Sequence, residues 1–401
     1  MLSVAEARAR ILAPLRATPT EIVALAEGWG RVLAAPIAAR LAQPPADVSA
    51  MDGYALRSSD GQPGTKLAVI GHAPAGHPFS GMVHPGEAVR LFTGSVMPGG
   101  ADTVLIQEDA SADGETVVVN VACPPGRHIR RAGQDFGLGS LLLQPGRRLG
   151  ARDIGLAAAG NHPWLNVHRR PLVAIMATGD EIALPGAPIR PGGIVSSNAH
   201  ALAALVRAGG GEPMVLPVAP DDRDALAAAI DQVRGVALLV TTGGASVGDH
   251  DLVQSALVER GFELDFWKVA MRPGKPLIAG SLNGIPVLGL PGNPVSALVC
   301  AVLFLLPALD ALSGLPAIAP RVERAILGTP VRANDSRADH LRSGLAPGAG
   351  GEQVVTPFER QDSSMLRAMA AADALLLRAP HAPALPAGAA VEVIRLDHLG
   401  L

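Results

Sequence analysis

The chain has 401 residues, too many for one ordinary core, and this length predicts two to four domains. Hydrophobic residues make up 48% and charged residues 17%, which excludes a disordered chain. With 33 basic against 36 acidic residues, the net charge of −3 excludes a generally basic nucleic-acid binder.

In chain order, residues 3–39 read as helical: Ser3 can cap a helix, and Val4, Ala7, Ile11, Leu12 and Leu15 share one face. Two arginines interrupt that apolar pattern, so no signal peptide is expected. From 40 to 134 short β-type runs are broken by Gly and Pro; KLAVIG, EAVRLF, TVLIQE and ETVVVNVA predict strands. LGARDIGLAAAGN (149–161) predicts a return to helix. Residues 170–316 then alternate between continuous apolar strands and amphipathic helices, the pattern of a doubly wound α/β sheet with parallel strands. Its last helix, Val295 to Leu309, is short for a bilayer and predicts a buried helix, so no membrane contact is expected. Residues 320–401 are again β-like, with VERAIL, ALLLRA and AAVEVIRL as strands. Cys123 and Cys300, the two cysteines, cannot build a disulfide framework, Cys300 reads as a core residue, and a reducing cytoplasm fits.

Ligands of open parallel sheets bind beyond the carboxyl ends of the strands, where helix N-termini also point. Four polar loops fall there: Thr178-Gly179-Asp180-Glu181, Asp221-Asp222, Thr241 to Asp251 (with Gly243, Gly244, Ser246 and Gly248), and Leu290-Pro291-Gly292-Asn293-Pro294. Glycines let backbone approach an anion. Neither GxGxxG nor GxxxxGK[ST] is present, which disfavours a dinucleotide fold or a P-loop ATPase.

Only three of the basic residues are lysines, and two of them, Lys268 and Lys275, flank Arg272 in FWKVAMRPGKP, a cationic run without a balancing acid and with a stiff Pro-Gly-Lys-Pro turn. Lysine is a compact phosphate ligand, whereas arginine favours bidentate oxyanion contact. Cations beside carboxylates and glycine loops imply a polyanionic substrate with a divalent metal; Glu181, Asp221 and Asp251 are candidate magnesium ligands, and helix capping is the alternative for the two aspartates. Outside this sheet, Asp52 in SAMDGYA, Thr93 in a Gly/Pro loop, and the basic turn Arg127 to Asp135 are further candidates.

Together SAMDGYAL, FTGSVMPGGADTVLIQED, RRAGQD, ATGDEI, TTGGASVGDHD, FWKVAMRPGKP and GLPGNPVSA resemble, in order and over essentially the whole chain, the MoeA family of molybdopterin molybdenumtransferases, which includes the E domain of gephyrin. The resemblance implies four regions: a discontinuous helical region (1–39 and 135–170), an inserted β-rich domain (40–134), an α/β molybdopterin-binding domain (171–318) and a C-terminal β-barrel (319–401). It also implies a homodimer whose active site lies between the α/β domain of one subunit and the β-rich domain of the other. The implied reaction inserts molybdate into adenylylated molybdopterin with magnesium and releases AMP. Asp52, Glu181, Asp221, Asp251, Lys268 and Lys275 carry over as catalytic positions, the four carboxylates as magnesium ligands. Thr93, Asp135, Thr178, Gly179, Gly243, Gly244, Ser246, Gly248, Arg272, Pro291, Asn293 and Ser363 carry over as substrate-binding positions. Arg272 stands where many relatives have lysine, and Arg337 to Arg342 and Ser363-Ser364-Met365 match the C-terminal motif in outline only. Contacts with molybdopterin adenylyltransferase and with recipient molybdoenzymes are implied as well. The competing readings are molybdopterin adenylyltransferase itself, which the α/β domain alone would satisfy, and a gephyrin-like scaffold.

Overall fold

A computed structural model describes residues 1–243 and 252–399. The chain divides into two compact units, one of Ile22–Trp29 with Ala35–Leu165, the other of Met1–Glu21, Gly30–Ala34 and Asn166–Leu401.

The first unit is built on a six-stranded sheet in the order Thr103–Ile106, Gly53–Leu56, Glu87–Leu91, Lys66–Ala73, Thr116–Val119, Ala110–Asp113. All four predicted β runs are strands, and GYAL adds a central one, its residues buried on both faces. Gly53 is required there, because a Cβ would run into the Leu105 carbonyl of the neighbouring strand. The helix Ala151–Ala159 also lies in this unit.

The second unit opens with the helix Val4–Leu12, where Ser3 accepts from the Glu6 amide and the Glu6 carboxylate accepts from Ser3 N. The expected helical region 3–39 is corrected here: the helix stops before Pro14, and Thr20–Ala24 is a strand. Pro14 and Pro19 bar helical continuation, and the apolar periodicity beyond Leu15 belongs to extended backbone instead.

The α/β sheet runs Glu212–Val215, Leu172–Ala177, Leu238–Thr242, Ile285–Leu290, Pro276–Leu282, Phe262–Lys268. Its first four strands are parallel, while the last two pair antiparallel, a departure from an all-parallel sheet. A tight Asn283-Gly284 turn with positive φ at both residues joins Pro276–Leu282 to Ile285–Leu290 as an antiparallel hairpin. Apolar clusters cover both faces. The larger one takes in Ala7 and Ile11, the helix from Pro294 to Leu312, and Leu375 and Ile394 of the C-terminal strands. That helix is apolar enough for a bilayer, yet 83% of its window is buried in the protein, as expected of a core helix. A π-turn at Ala301–Leu305 precedes Pro307, which has no N–H for the ladder.

The C-terminal strands Glu323–Leu327, Ala338–Pro347, Gln353–Pro357, Ala374–Arg378 and Ala390–Arg395 close on themselves through pairing of Ala338–Pro347 with Ala374–Arg378, forming a five-stranded barrel. A two-residue strand of the α/β part, Met271–Arg272, adds in parallel to Ala338 and Asp339.

Candidate active site

Leu172–Ala177 and Leu238–Thr242 are adjacent strands whose connections leave in opposite directions, which is where an open α/β sheet leaves a crevice. At their carboxyl ends a cavity of about 1550 Å³ opens, and the barrel supplies a further wall. Thr178, Gly179, Glu181, Asp221, Gly243, Lys268, Arg272, Lys275, Pro291, Asn293 and Ser363 all line it. Asp52, Thr93 and Asp135 belong to the other compact unit. Gly244, Ser246, Gly248 and Asp251 lie outside the described residues.

Close backbone packing shapes the crevice. Gly243 has φ +92°, and a Cβ there would lie 2.7 Å from the Thr178 carbonyl. Gly179 has φ +137°, and the Glu181 carboxylate folds over it where a side chain would stand. Asn198, at the start of the helix Asn198–Ala208, ties the loops together by donating to Thr242 Oγ1 (2.8 Å) and the Gly292 carbonyl (2.7 Å). Sequence pattern does not single out Asn198, because an asparagine after Ser196-Ser197 looks like an ordinary helix start.

The charges divide into two sets. Among the described residues, Glu181, Asp221, Lys268 and Lys275 make no ion pair. The Lys268 ammonium lies 3.5 Å from the centroid of the Trp267 ring, which orients it without neutralising it. Arg272, by contrast, is already engaged: Nε donates to Asp339 Oδ1 (2.6 Å), Nη2 to Asp339 Oδ2, and Nη1 to Asp335 Oδ2 (3.2 Å). The Asp339 hydrogen bonds raise its pKa. The balancing acids absent from the local run thus come from more than 60 residues away.

The barrel wall contributes Arg337, Gln361, Asp362 and Ser364, beyond the Ser363 expected. Ser364 donates to Asp362 Oδ1 through its backbone N (2.8 Å) and Oγ (2.6 Å), which lowers the Asp362 pKa. Beneath this loop lies the fully buried Arg342, donating to the Asp362 carbonyl (3.2 Å). In the other unit Thr93 donates to Asp52 Oδ1 through both N (2.7 Å) and Oγ1 (2.8 Å), and its backbone bond, then its hydroxyl, holds the Asp52 pKa below the ordinary range. Asp135 is exposed, its amide bonded to the Gln43 carbonyl at 3.0 Å.

Residues 2–160 match "MoeA N-terminal region (domain I and II)", 174–311 "Probable molybdopterin binding domain", and 324–396 "MoeA C-terminal region (domain IV)". A molybdopterin molybdenumtransferase of Nostoc sp. is 39% identical over 74% of this chain and 70% of its own length. Molybdopterin molybdenumtransferase 2 of Mycobacterium tuberculosis is 34% identical over 94% of this chain and 95% of its own. The crystal structure of the molybdopterin biosynthesis MoeA protein from Pyrococcus horikoshii superposes with a TM-score of 0.83 at 27% identity, covering 99% of this chain and all of that one. With three matched regions in order and relatives alike over most of their length, the chain belongs to the MoeA family of molybdopterin molybdenumtransferases, proteins of molybdenum cofactor biosynthesis.

Proposed function

We propose that this protein inserts molybdate into adenylylated molybdopterin with release of AMP, acting as a cytoplasmic homodimer. The observation that carries this reading is the cavity with Lys268 and Lys275, which make no ion pair among the described residues. Its volume exceeds that of a typical drug-sized site, as a nucleotide-bearing pterin requires, and Lys268 and Lys275 line it.

Lys268 and Lys275 bind the pyrophosphate and molybdate oxygens as fixed point charges, and the tight backbone around Gly243 and Gly292 lets those groups approach closely. Asn198 keeps the Thr242 and Gly292 loops in register, so the reacting groups are positioned before chemistry begins. Glu181 and Asp221 fit magnesium: they share the cavity and, among the described residues, keep their carboxylates out of ion pairs. The described residues hold no group of three or more His, Cys, Asp or Glu placed for a metal, but magnesium needs few protein ligands because it retains waters and takes phosphate oxygens. Bound there, with Asp251 and Asp52 as further candidate ligands, it would offset the negative charge gathered on the pyrophosphate. In the proposed homodimer Asp52, Thr93 and Asp135 serve the cavity of the second subunit.

The deciding measurement is AMP release from adenylylated molybdopterin with and without molybdate. Molybdate-dependent release is expected. Release indifferent to molybdate, or ATP consumption in its absence, would turn the assignment toward an adenylyltransferase, and no release at all toward a scaffold.

A further inference from the structure

We propose that Arg272 is a positioning residue and not an anion ligand: its guanidinium clamps the barrel turn 334–339 to the α/β domain and so sets Arg337 against the cavity. The inference rests on reading that cavity as the oxyanion site.

Four of the five donors of Arg272 are spent on one short segment. Asp339 takes two in a fork, Asp335 takes one, and Asn334 Oδ1 accepts from Nη2 at 3.3 Å. Asp339 is only 6% exposed, so without Arg272 it would be a buried, unpaired carboxylate. The backbone runs alongside the same contact: Arg272 pairs in parallel with Asp339, and the Ala338 amide donates to the Ala270 carbonyl at 2.9 Å.

The clamped turn is what presents Arg337. Asp335 Oδ1 accepts from the Arg337 amide (2.9 Å), its Oδ2 from Arg337 Nη2 (3.3 Å), and Asn334 Nδ2 donates to the Arg337 carbonyl (2.7 Å). Asp335 and Asn334 therefore bridge Arg272 to Arg337, and Arg337 lines the cavity that Lys268 and Lys275 also face. An incoming oxyanion would have to displace a bidentate carboxylate to reach Arg272, whereas among the described residues neither lysine has an ion-pair partner. A lysine at 272 would keep the charge but could not span Asp339 and Asp335 with one ammonium.

The test compares Arg272→Lys, Asp339→Asn and the double variant in the full-length protein, titrating molybdate while following AMP release. Asp335→Asn, at a more exposed position, serves as a second, milder break. Each single variant should raise half-saturating molybdate about tenfold with the limiting rate held within about twofold, and the double should be no worse than either single. A wild-type molybdate titration for Arg272→Lys would overturn the clamp, because charge alone would then suffice; so would single effects that multiply in the double. Hydrogen exchange of the amides in 334–339 gives a readout independent of turnover: faster exchange in every variant is expected, and unchanged protection would sink the proposal. If the wild-type protein shows no molybdate-dependent release, the oxyanion reading fails by itself, while the exchange result still decides whether Arg272 clamps the turn.

Discussion

Asn293 Nδ2 donates to Ser363 Oγ at 3.0 Å, so the residue that opens the long core helix turns its amide outward to a barrel loop instead of capping that helix. The Val295 amide donates to the Ser363 carbonyl at 3.1 Å, which makes Ser363 a two-point joint. Asn293→Ala removes the side-chain half and leaves the backbone half. Stability should fall by about 1 kcal/mol in urea unfolding, the usual worth of one such bond. The same variant should weaken substrate half-saturation more than the limiting rate, since what it loosens is a cavity wall.

Lys275→Ala and Lys268→Ala should each lower kcat/KM for molybdate-dependent AMP release by ten- to a hundredfold, on the order of a charge-assisted hydrogen bond to an anion. Trp267→Leu separates the parts of the Lys268 effect. It removes the ring face under the ammonium but keeps the charge, so a loss smaller than that of Lys268→Ala is expected. Steady-state kinetics at two salt concentrations would show equal activities if these cations were idle surface charges.

Thr93→Val keeps the backbone N–H on Asp52 and deletes the hydroxyl. The hydroxyl stabilises the ionised carboxylate, so its loss should move the Asp52 pKa upward, toward the ordinary value. If ionised Asp52 is required, the acid limb of the pH–rate profile should move to higher pH in Thr93→Val while activity at neutral pH changes little. Superimposable profiles would detach Asp52 from the rate.

His340 is 5% exposed, its Nδ1 has no hydrogen-bond partner among the described residues, and burial pushes its pKa down to about 4, against the smaller upward pulls of an Arg272 backbone bond and Asp339. Unfolded, the ring takes up its proton near 6.5; folded, not until about 4. The unfolded state therefore binds more protons across that window, and stability falls as pH drops through it and levels off below. The contribution is roughly 3 kcal/mol over the whole window. Denaturant unfolding of His340→Leu at pH 7 and pH 4.5 should show a smaller acid loss than the wild type.

Much of this was legible because the α/β region signals itself twice, by continuous apolar strands and by the polar loops that end them. Eleven expected positions, from Thr178 to Ser363, duly meet at one cavity. Local patterning misled where the cause was distant. The run Lys268–Lys275 looks uncompensated in the chain, yet Arg272 is answered by Asp335 and Asp339, which only barrel closure brings near. Residues 13–39 carry alanine and leucine at helix-like spacing, and the prolines at 14 and 19 outweigh it. Asn198 and Ser364 each act through two hydrogen bonds that no periodicity encodes.

The pairing of Met271–Arg272 with Ala338–Asp339 also sets an order of assembly. A nascent chain released as far as Leu312 already has every strand of the α/β sheet, but its Met271–Arg272 strand has no barrel strand to pair with. The cavity gains its last wall only after the C-terminal strands are synthesised. A chain truncated between Leu312 and Ala338 would thus carry both lysines while lacking the barrel wall of their cavity, a non-local closure that delays competence until the barrel strands have been made.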